Sequence, residues 1–181
     1  MGEAYRIHRQ NDLYFLTFTV IDWMDVFTRK EHMAIVVDSL NFCVANKGFS
    51  INAWVLMSNH LHLLGYAREG FRLSDITRDL KKFTSRSIRE HIQTGIESRR
   101  HWLLDRMAFR ARQVARSDEF KLWEDDSHAV LIEDVEHRTN VIDYIHNNPV
   151  KAHFVRLPEH YLHSSAIDYA NGNGLVKVEL V

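Results

Sequence analysis

The alternation of apolar and polar residues along the chain predicts four short strands. Leu13–Ile21 is rich in β-branched and aromatic residues and has apolar side chains on both faces, which is typical of a buried central strand. Ile51–Met57 and His60–Tyr66 are separated by the turn Ser58-Asn59, which indicates an antiparallel hairpin. Ser127–Ile132 is the last candidate strand. We expect these strands to form one antiparallel sheet.

Start and stop signals predict two helices between the strands. Thr28 and Glu31 have capping-box spacing, and the helix behind them is expected to end at Gly48. Ser74 is expected to cap a second helix of about 75–93, which Gly95 ends. The apolar stripe of this helix is Ile76, Leu80 and Phe83. Basic residues lie on nearly the opposite face, at Arg78, Lys82, Arg86 and Arg89.

The second half of the chain predicts a basic segment, a strand and a final helix. Ser98–Arg116 is basic and interpreted as helical, and a helix from about Val135 to Asn148 is expected to stop at Pro149. The element order predicts an α+β, ferredoxin-like split βαβ core with helices on one face of the sheet. We expect one domain over residues 1–181, with a basic helical insert at about 94–120, a C-terminal helix and an irregular tail from about 158.

Charge is distributed unevenly, and this changes the interpretation of the balanced composition. The net charge of −1 taken alone argues against a nucleic-acid protein. From Arg78 to Arg116, however, there are eleven Lys and Arg against four Asp and Glu, and Asp118–Glu136 is acidic. A polyanionic partner would therefore contact one part of the surface. A solvated helix face explains the same basic run.

Cysteine content and hydropathy indicate a cytoplasmic protein. The longest apolar stretches are too short to cross a bilayer, and Met1–Gln10 lacks the apolar core of a signal peptide. Cys43 is the single cysteine, so no internal disulfide is possible and a reducing compartment is expected.

Two groups of polar residues are candidates for chemistry. His60 and His62 are two apart on a predicted strand, so both imidazoles leave one face as a platform for a metal ion. Tyr144 and Asn148 are four apart and share a face of the last predicted helix. Each pattern also has a structural interpretation: polar residues on a half-exposed strand, and a packed aromatic before the helix stop at Pro149.

Phosphodiester chemistry would use both groups together. A tyrosine ester conserves the energy of a cleaved phosphodiester for rejoining. Because the phenol has an ordinary pKa of about 10, the phosphate needs activation, which a divalent metal supplies by neutralising charge. Two imidazoles and an amide oxygen suit Mg²⁺ or Mn²⁺.

Sequence motifs extend this hypothesis to a known family. AWVLMSNHLHLL resembles the signature of single-tyrosine HUH transposases, and YIHNNPVKAHFV resembles the hallmark of their REP-associated branch. LTFTV, LKKFTSRSI, LWEDDSHAVLI and LPEHYLHSSAIDY extend the resemblance over roughly residues 13–170. It implies that His60 and His62 are metal ligands and Tyr144 the nucleophile. Asn148 stands where the wider family often has a Gln as third ligand, and His153 replaces a usual glycine.

The resemblance also implies the substrate, single-stranded DNA folded into hairpins at element ends or at repetitive extragenic palindromes (REPs). We expect backbone contacts from Arg78, Lys82, Arg86 and Arg89. The further candidates are Arg99, Arg100, Arg106, Arg110 and Arg112 of the insert. Trp102 and Phe109 are interpreted as core residues, with base stacking as the alternative. The resemblance leaves both a monomer and a homodimer open.

Three other functions remain possible on sequence grounds. A domesticated ferredoxin-like module that binds nucleic acid without cutting it would share the fold, but it needs no His60, His62 and Tyr144 together. A metallohydrolase would need another ligand shortly downstream, where Leu63-Leu64-Gly65 stands. Replication initiators and relaxases share the chemistry but place their tyrosines differently. We therefore predict a DNA transposase that nicks and rejoins one strand through a 5′-phosphotyrosine.

Overall fold

Four strands and five helices make up the computed structural model, which describes residues 7–113, 119–125 and 128–181. In chain order these are β1 Tyr14–Thr19, α1 Lys30–Asn46, β2 Phe49–Leu56, β3 His60–Ala67, α2 Leu73–Thr94, α3 Arg100–Arg112, β4 His128–Leu131, α4 Val135–Lys151 and α5 Ala166–Tyr169. Short 3-10 turns cover Ile21–Trp23 and Pro158–His160. The predicted α+β class is confirmed. The end of the predicted Ser98–Arg116 helix and the start of the last strand at Ser127 lie outside the described residues.

The sheet has the strand order β2-β3-β1-β4, and all of its neighbouring strands are antiparallel. This is the order of a split βαβ core. α1 connects β1 to β2, and the segment with α2 and α3 connects β3 to β4, and neither pair of strands is adjacent. In the pairing of β1 with β3, Thr17 lies opposite His62 and Thr19 lies opposite His60. The register therefore brings β1 side chains to the histidine pair.

The two faces of the sheet pack against different helices. On one face, α1 and α2 bury side chains against Leu16, Phe18, Leu61 and Leu63. On the other face, α4 packs through Val141, Ile142 and Ile145 against Ala53, Val55 and Leu64. The helices between the strands thus share one face, as predicted, and the C-terminal helix covers the other.

β1 is a central strand, as predicted, but only one of its two faces is fully buried. Its even-numbered residues are buried, while Phe15, Thr17 and Thr19 are half-buried. These three side chains leave on the face of the histidines, which is only partly covered by α4.

Neither Thr28 nor Ser74 acts as the predicted N-cap. No side chain caps α1, and the Thr28 hydroxyl donates instead to the carbonyl of Asp25 (3.4 Å), outside the helix. Ser74 lies within the first turn of α2, and its backbone N–H donates to Oε1 of Gln10 (3.0 Å). Gly48 follows α1 with a φ of +63°, as the predicted stop requires.

Two further differences concern helix interiors. Phe83, predicted on the apolar stripe of α2, is 58% exposed, and Thr84 is buried in its place. The Thr84 hydroxyl donates to the Leu80 carbonyl (2.7 Å) and accepts from the Trp123 indole (2.9 Å), which satisfies it in the core. Pro149 does not stop α4 but lies buried inside it. Because proline has no backbone N–H, one helical hydrogen bond is missing there, which costs stability. The helix continues because α4 packs on the sheet.

The residues after Pro158 run along the β2 edge of the sheet. Three backbone hydrogen bonds join the two segments. The Leu56 N–H donates to the His163 carbonyl (2.9 Å), the Ser165 N–H to the Trp54 carbonyl (3.0 Å), and the Glu179 N–H to the Ile51 carbonyl (2.8 Å). These bonds satisfy part of an edge that would otherwise be open. Within the described ranges, no helix is both long and apolar enough to span a membrane.

Candidate active site

His60 and His62 form the centre of the candidate site, as the alternation of β3 predicts. Their imidazoles are adjacent, with ring centroids 4.7 Å apart. Leu61 and Leu63, between and after them, point to the opposite face and are fully buried in the main core. The strand therefore holds the two rings on a rigid base.

Each imidazole is oriented by a hydrogen bond at Nδ1. His60 Nδ1 lies 2.7 Å from Oδ1 of Asn59, and His62 Nδ1 lies 2.8 Å from the hydroxyl of Thr17. The Asn59 amide nitrogen donates to the carbonyl of Trp23 (3.3 Å) and to Asp25 (3.2 Å), which fixes the amide orientation. Its oxygen therefore accepts a hydrogen bond from Nδ1–H, so that neutral His60 carries its lone pair on Nε2.

Burial keeps both imidazoles neutral. Desolvation lowers the pKa of His60, and the Asn148 side chain, within hydrogen-bonding reach of the ring, partly opposes this. Desolvation, together with the neighbouring His60, lowers the pKa of His62 to about 3. Neutral imidazole is the form that ligates a metal ion.

α4 carries Tyr144 and Asn148 to the histidines. The Tyr144 ring lies 5.3 Å from His62 and is 42% exposed. Phe15 of β1 meets it edge-on at 5.9 Å. The Asn148 amide nitrogen donates to the Tyr144 carbonyl (3.2 Å), and the same side chain reaches the His60 ring. All four predicted residues therefore meet within one chain.

The contact between His60 and Asn148 provides a test of whether a cation fits. Because Nδ1 of His60 is committed to Asn59, the nitrogen that meets Asn148 is Nε2. In the neutral ring this nitrogen is an acceptor, and the Asn148 oxygen is an acceptor too. An imidazole nitrogen with a free lone pair and an amide oxygen are both ordinary ligands of a divalent ion. Residues of this type thus fit a divalent ion, although the described part of the chain holds no cluster of three His, Cys, Asp or Glu side chains with metal-site geometry.

The predicted DNA-contacting residues lie on the other side of the sheet. Arg78, Lys82, Arg86 and Arg89 line one groove of about 800 Å³ between α2 and residues 119–125. Arg78 pairs with Asp75 and Asp79, and Arg89 lies over the Phe120 ring. Lys82 and Arg86 are exposed and form no ion pair with any described residue. The structure groups these four side chains together but apart from Tyr144.

Most other arginines of the insert stabilise the protein itself. Arg99 donates to the backbone carbonyl of Asp25, and Arg100 donates to the backbone carbonyl of Ile92. Arg106 and Arg110 both pair with Asp22. Trp102 and Phe109 are exposed by 50% and 42%, so their interpretation as core residues is wrong.

Four residues around the site were not predicted from the sequence. These are Thr17, Trp23, Asn59 and Lys151. The Lys151 ammonium lies 5.4 Å from the centre of the Tyr144 ring. Its position seven residues after Tyr144, two helical turns, is a signal that could have found it. Thr17 and Asn59 could be recognised as site residues only once the strand register and the turn geometry were known.

Comparisons with known proteins concern the family and the fold of the chain. The family model described as IS200-like transposase matches residues 13–148. The solved structure of a REP-associated tyrosine transposase bound to a REP hairpin superposes with a TM-score of 0.65 at 19% identity, covering 99% of this chain and 92% of that one. A candidate transposase from Deinococcus radiodurans superposes with a TM-score of 0.48 at 18% identity, covering 81% and 95%. No curated protein sequence matches. The chain belongs to the IS200-like transposase family.

Proposed function

We propose that this transposase cuts and rejoins a single DNA strand with Tyr144 as nucleophile. The phenol oxygen attacks the scissile phosphorus, and the bond from phosphorus to the 3′ oxygen breaks. The phenol gives up its proton and the 3′ oxygen gains one, leaving a 5′-phosphotyrosine and a free 3′-hydroxyl. Attack by another 3′-hydroxyl reverses these steps and joins the strands. The observation that carries this proposal is the Tyr144 ring at 5.3 Å from His62.

His60, His62 and Asn148 would hold Mg²⁺ or Mn²⁺, since two adjacent neutral imidazoles and a nearby amide side chain supply suitable ligand atoms. When bound, such an ion neutralises charge on the scissile phosphate. Thr17 and Asn59 position the imidazoles by holding Nδ1 of each ring. Lys151 places a positive charge beside the phenol, where negative charge develops as the proton leaves.

A DNA hairpin is the substrate that the surface supports best. The groove with Arg78, Lys82, Arg86 and Arg89 supplies phosphate-binding charge on the face away from Tyr144. A folded stem held there would have to send its single strand around the sheet to the histidines. A REP-associated transposase of the same fold binds a REP hairpin, which supports this type of substrate. Since one chain supplies every site residue, we infer that a monomer is sufficient.

A covalent adduct is the direct test. The purified protein is incubated with Mn²⁺ or Mg²⁺ and DNA hairpins from its own genomic neighbourhood, and products are separated on a denaturing gel. We expect a protein–DNA adduct that Tyr144→Phe abolishes while hairpin binding persists. His60→Ala with His62→Ala should abolish metal-dependent cleavage. An adduct surviving Tyr144→Phe refutes the nucleophile, and tight binding without any adduct favours a non-cleaving DNA-binding protein.

A further inference from the structure

Trp23 stands at the rim of the candidate site without a core to fill. Trp23 is 65% exposed, while the nearby Ile21 and Met24 are buried. The indole meets His60 edge to face, with ring centroids 6.0 Å apart. An exposed indole gains little from folding, so packing does not explain its position.

The backbone beneath this indole is strained. Asp22 and Trp23 both have a φ of +53°, in the left-handed region that residues with side chains rarely adopt. Two anchors maintain the conformation. Asp22 pairs with Arg106 and Arg110 of α3, and the Asn59 amide donates to the Trp23 carbonyl. Because Asn59 also orients His60, the Trp23 backbone and the His60 imidazole are held by one side chain.

Strain that other residues maintain around an exposed group indicates a ligand. The flat faces of an indole stack on nucleobases of any identity, and stacking of this kind is common where proteins hold single-stranded DNA. We propose that Trp23 stacks on an unpaired nucleobase next to the phosphate that Tyr144 attacks. This inference rests on the proposed function. It makes Trp23 a positioning residue that orients the strand across the histidines.

Intrinsic fluorescence makes the stacking measurable without cleavage. Of the four tryptophans, Trp54 and Trp123 are buried, so Trp23 and Trp102 are the exposed ones. In a Tyr144→Phe, Trp102→Phe background, Trp23 is the exposed reporter. The probes are a genomic hairpin with unpaired thymidines at both ends and the same hairpin without them. We expect quenching by the extended hairpin that the blunt hairpin does not cause.

Affinity measurements supply the second readout, in the Tyr144→Phe background. Trp23→Ala should weaken binding of the extended hairpin roughly tenfold, the contribution of one stacked base, and leave the blunt hairpin unaffected. Trp23→Phe should retain most of the affinity, and Trp102→Ala is the matched control. Trp23→Gly should raise the thermal midpoint, since glycine accepts a positive φ, yet bind as weakly as Trp23→Ala.

The outcomes separate this inference from the proposed function. Equal affinity of the parent and Trp23→Ala for the extended hairpin overturns the stacking, as does a loss confined to Trp102→Ala. The adduct assay with the unmodified chain runs in parallel. An adduct without any dependence on Trp23 overturns the stacking alone. Stacking that depends on Trp23, without any adduct, supports the inference and overturns the proposed cleavage.

Discussion

Glu97 is a buried carboxylate that supports, through Arg99, the loop at Asp25 beside the histidines. Its side chain is 1% exposed and lies 3.3 Å from Arg29 and 3.2 Å from Arg99. Arg99 in turn donates to the Asp25 carbonyl (2.9 Å), and Asp25 accepts from Asn59. Replacing Glu97 should therefore destabilise the fold and loosen the support of the active-site turn.

The pKa of Glu97 gives the size of this effect. Burial alone would raise the pKa, but hydrogen bonds from the backbone and side chain of Arg99, and from Arg29, lower it to about 2, against an ordinary 4.5. That difference corresponds to at most about 3 kcal/mol. Since both arginines are about a third exposed and glutamine still accepts hydrogen bonds, we expect Glu97→Gln to cost about 2 kcal/mol at pH 7.

Urea unfolding and thermal melts measure this cost. A loss of about 2 kcal/mol lowers the melting midpoint by about 4–8 °C in a chain of this size. Because the folded pKa is depressed, the contribution is complete above pH 4.5 and is lost as the pH falls towards 2. The difference in unfolding free energy between wild type and Glu97→Gln, here called the gap, should therefore be smaller at pH 3 than at pH 7. Glu119→Gln, at an 86% exposed carboxylate, is the control. A gap below 0.5 kcal/mol at pH 7 (about the effect of a surface change), or one independent of pH, refutes the reasoning.

The remaining predictions concern the site and the DNA surface. Asn59→Ala should raise the Mn²⁺ concentration for half-maximal adduct formation by about 10–100-fold; an unchanged Mn²⁺ dependence contradicts the positioning role. Lys82→Ala with Arg86→Ala should lower the salt slope of hairpin binding by about 2, measured by fluorescence anisotropy, and an equal slope would place the DNA elsewhere. Lys151→Ala should slow adduct formation about tenfold with binding unchanged, while Lys151→Arg retains most of the rate. Equal single-turnover rates for Lys151→Ala and wild type would exclude that role.

The sequence predicted the geometry that follows from local periodicity. Two-residue alternation correctly placed His60 and His62 on one face of β3, with Leu61 and Leu63 in the core. The α+β class and the antiparallel sheet followed from the order of strands and helices. The shared face of Tyr144 and Asn148 followed from their spacing, even though Pro149 was expected to end the helix there.

Contacts between distant segments could not be predicted from the sequence. The cap of α2 comes from Gln10, and the buried Thr84 is tolerated because Trp123 donates to it. The basic segment indicated phosphate-binding charge in the insert as well as on α2. Arg106 and Arg110, however, pair with Asp22, a partner that periodicity does not reveal. Local charge counts overestimate the charge available to DNA where tertiary ion pairs use it.

The position of Tyr144 depends on how α4 is attached to the sheet, and the C-terminal segment makes that attachment. His146, two residues after Tyr144 and therefore on a different face of α4, is buried, and its Nε2 lies 2.9 Å from the Ser165 hydroxyl. Ser165 also exchanges two hydrogen bonds with the backbone of Trp54 in β2. Tyr169 packs on His146 at 4.9 Å. One serine thus links the tyrosine helix to the sheet that carries the histidines, so helix and strand hold the reacting groups in a fixed relation. Such a link is what a chain needs if its own tyrosine is to serve its own histidines.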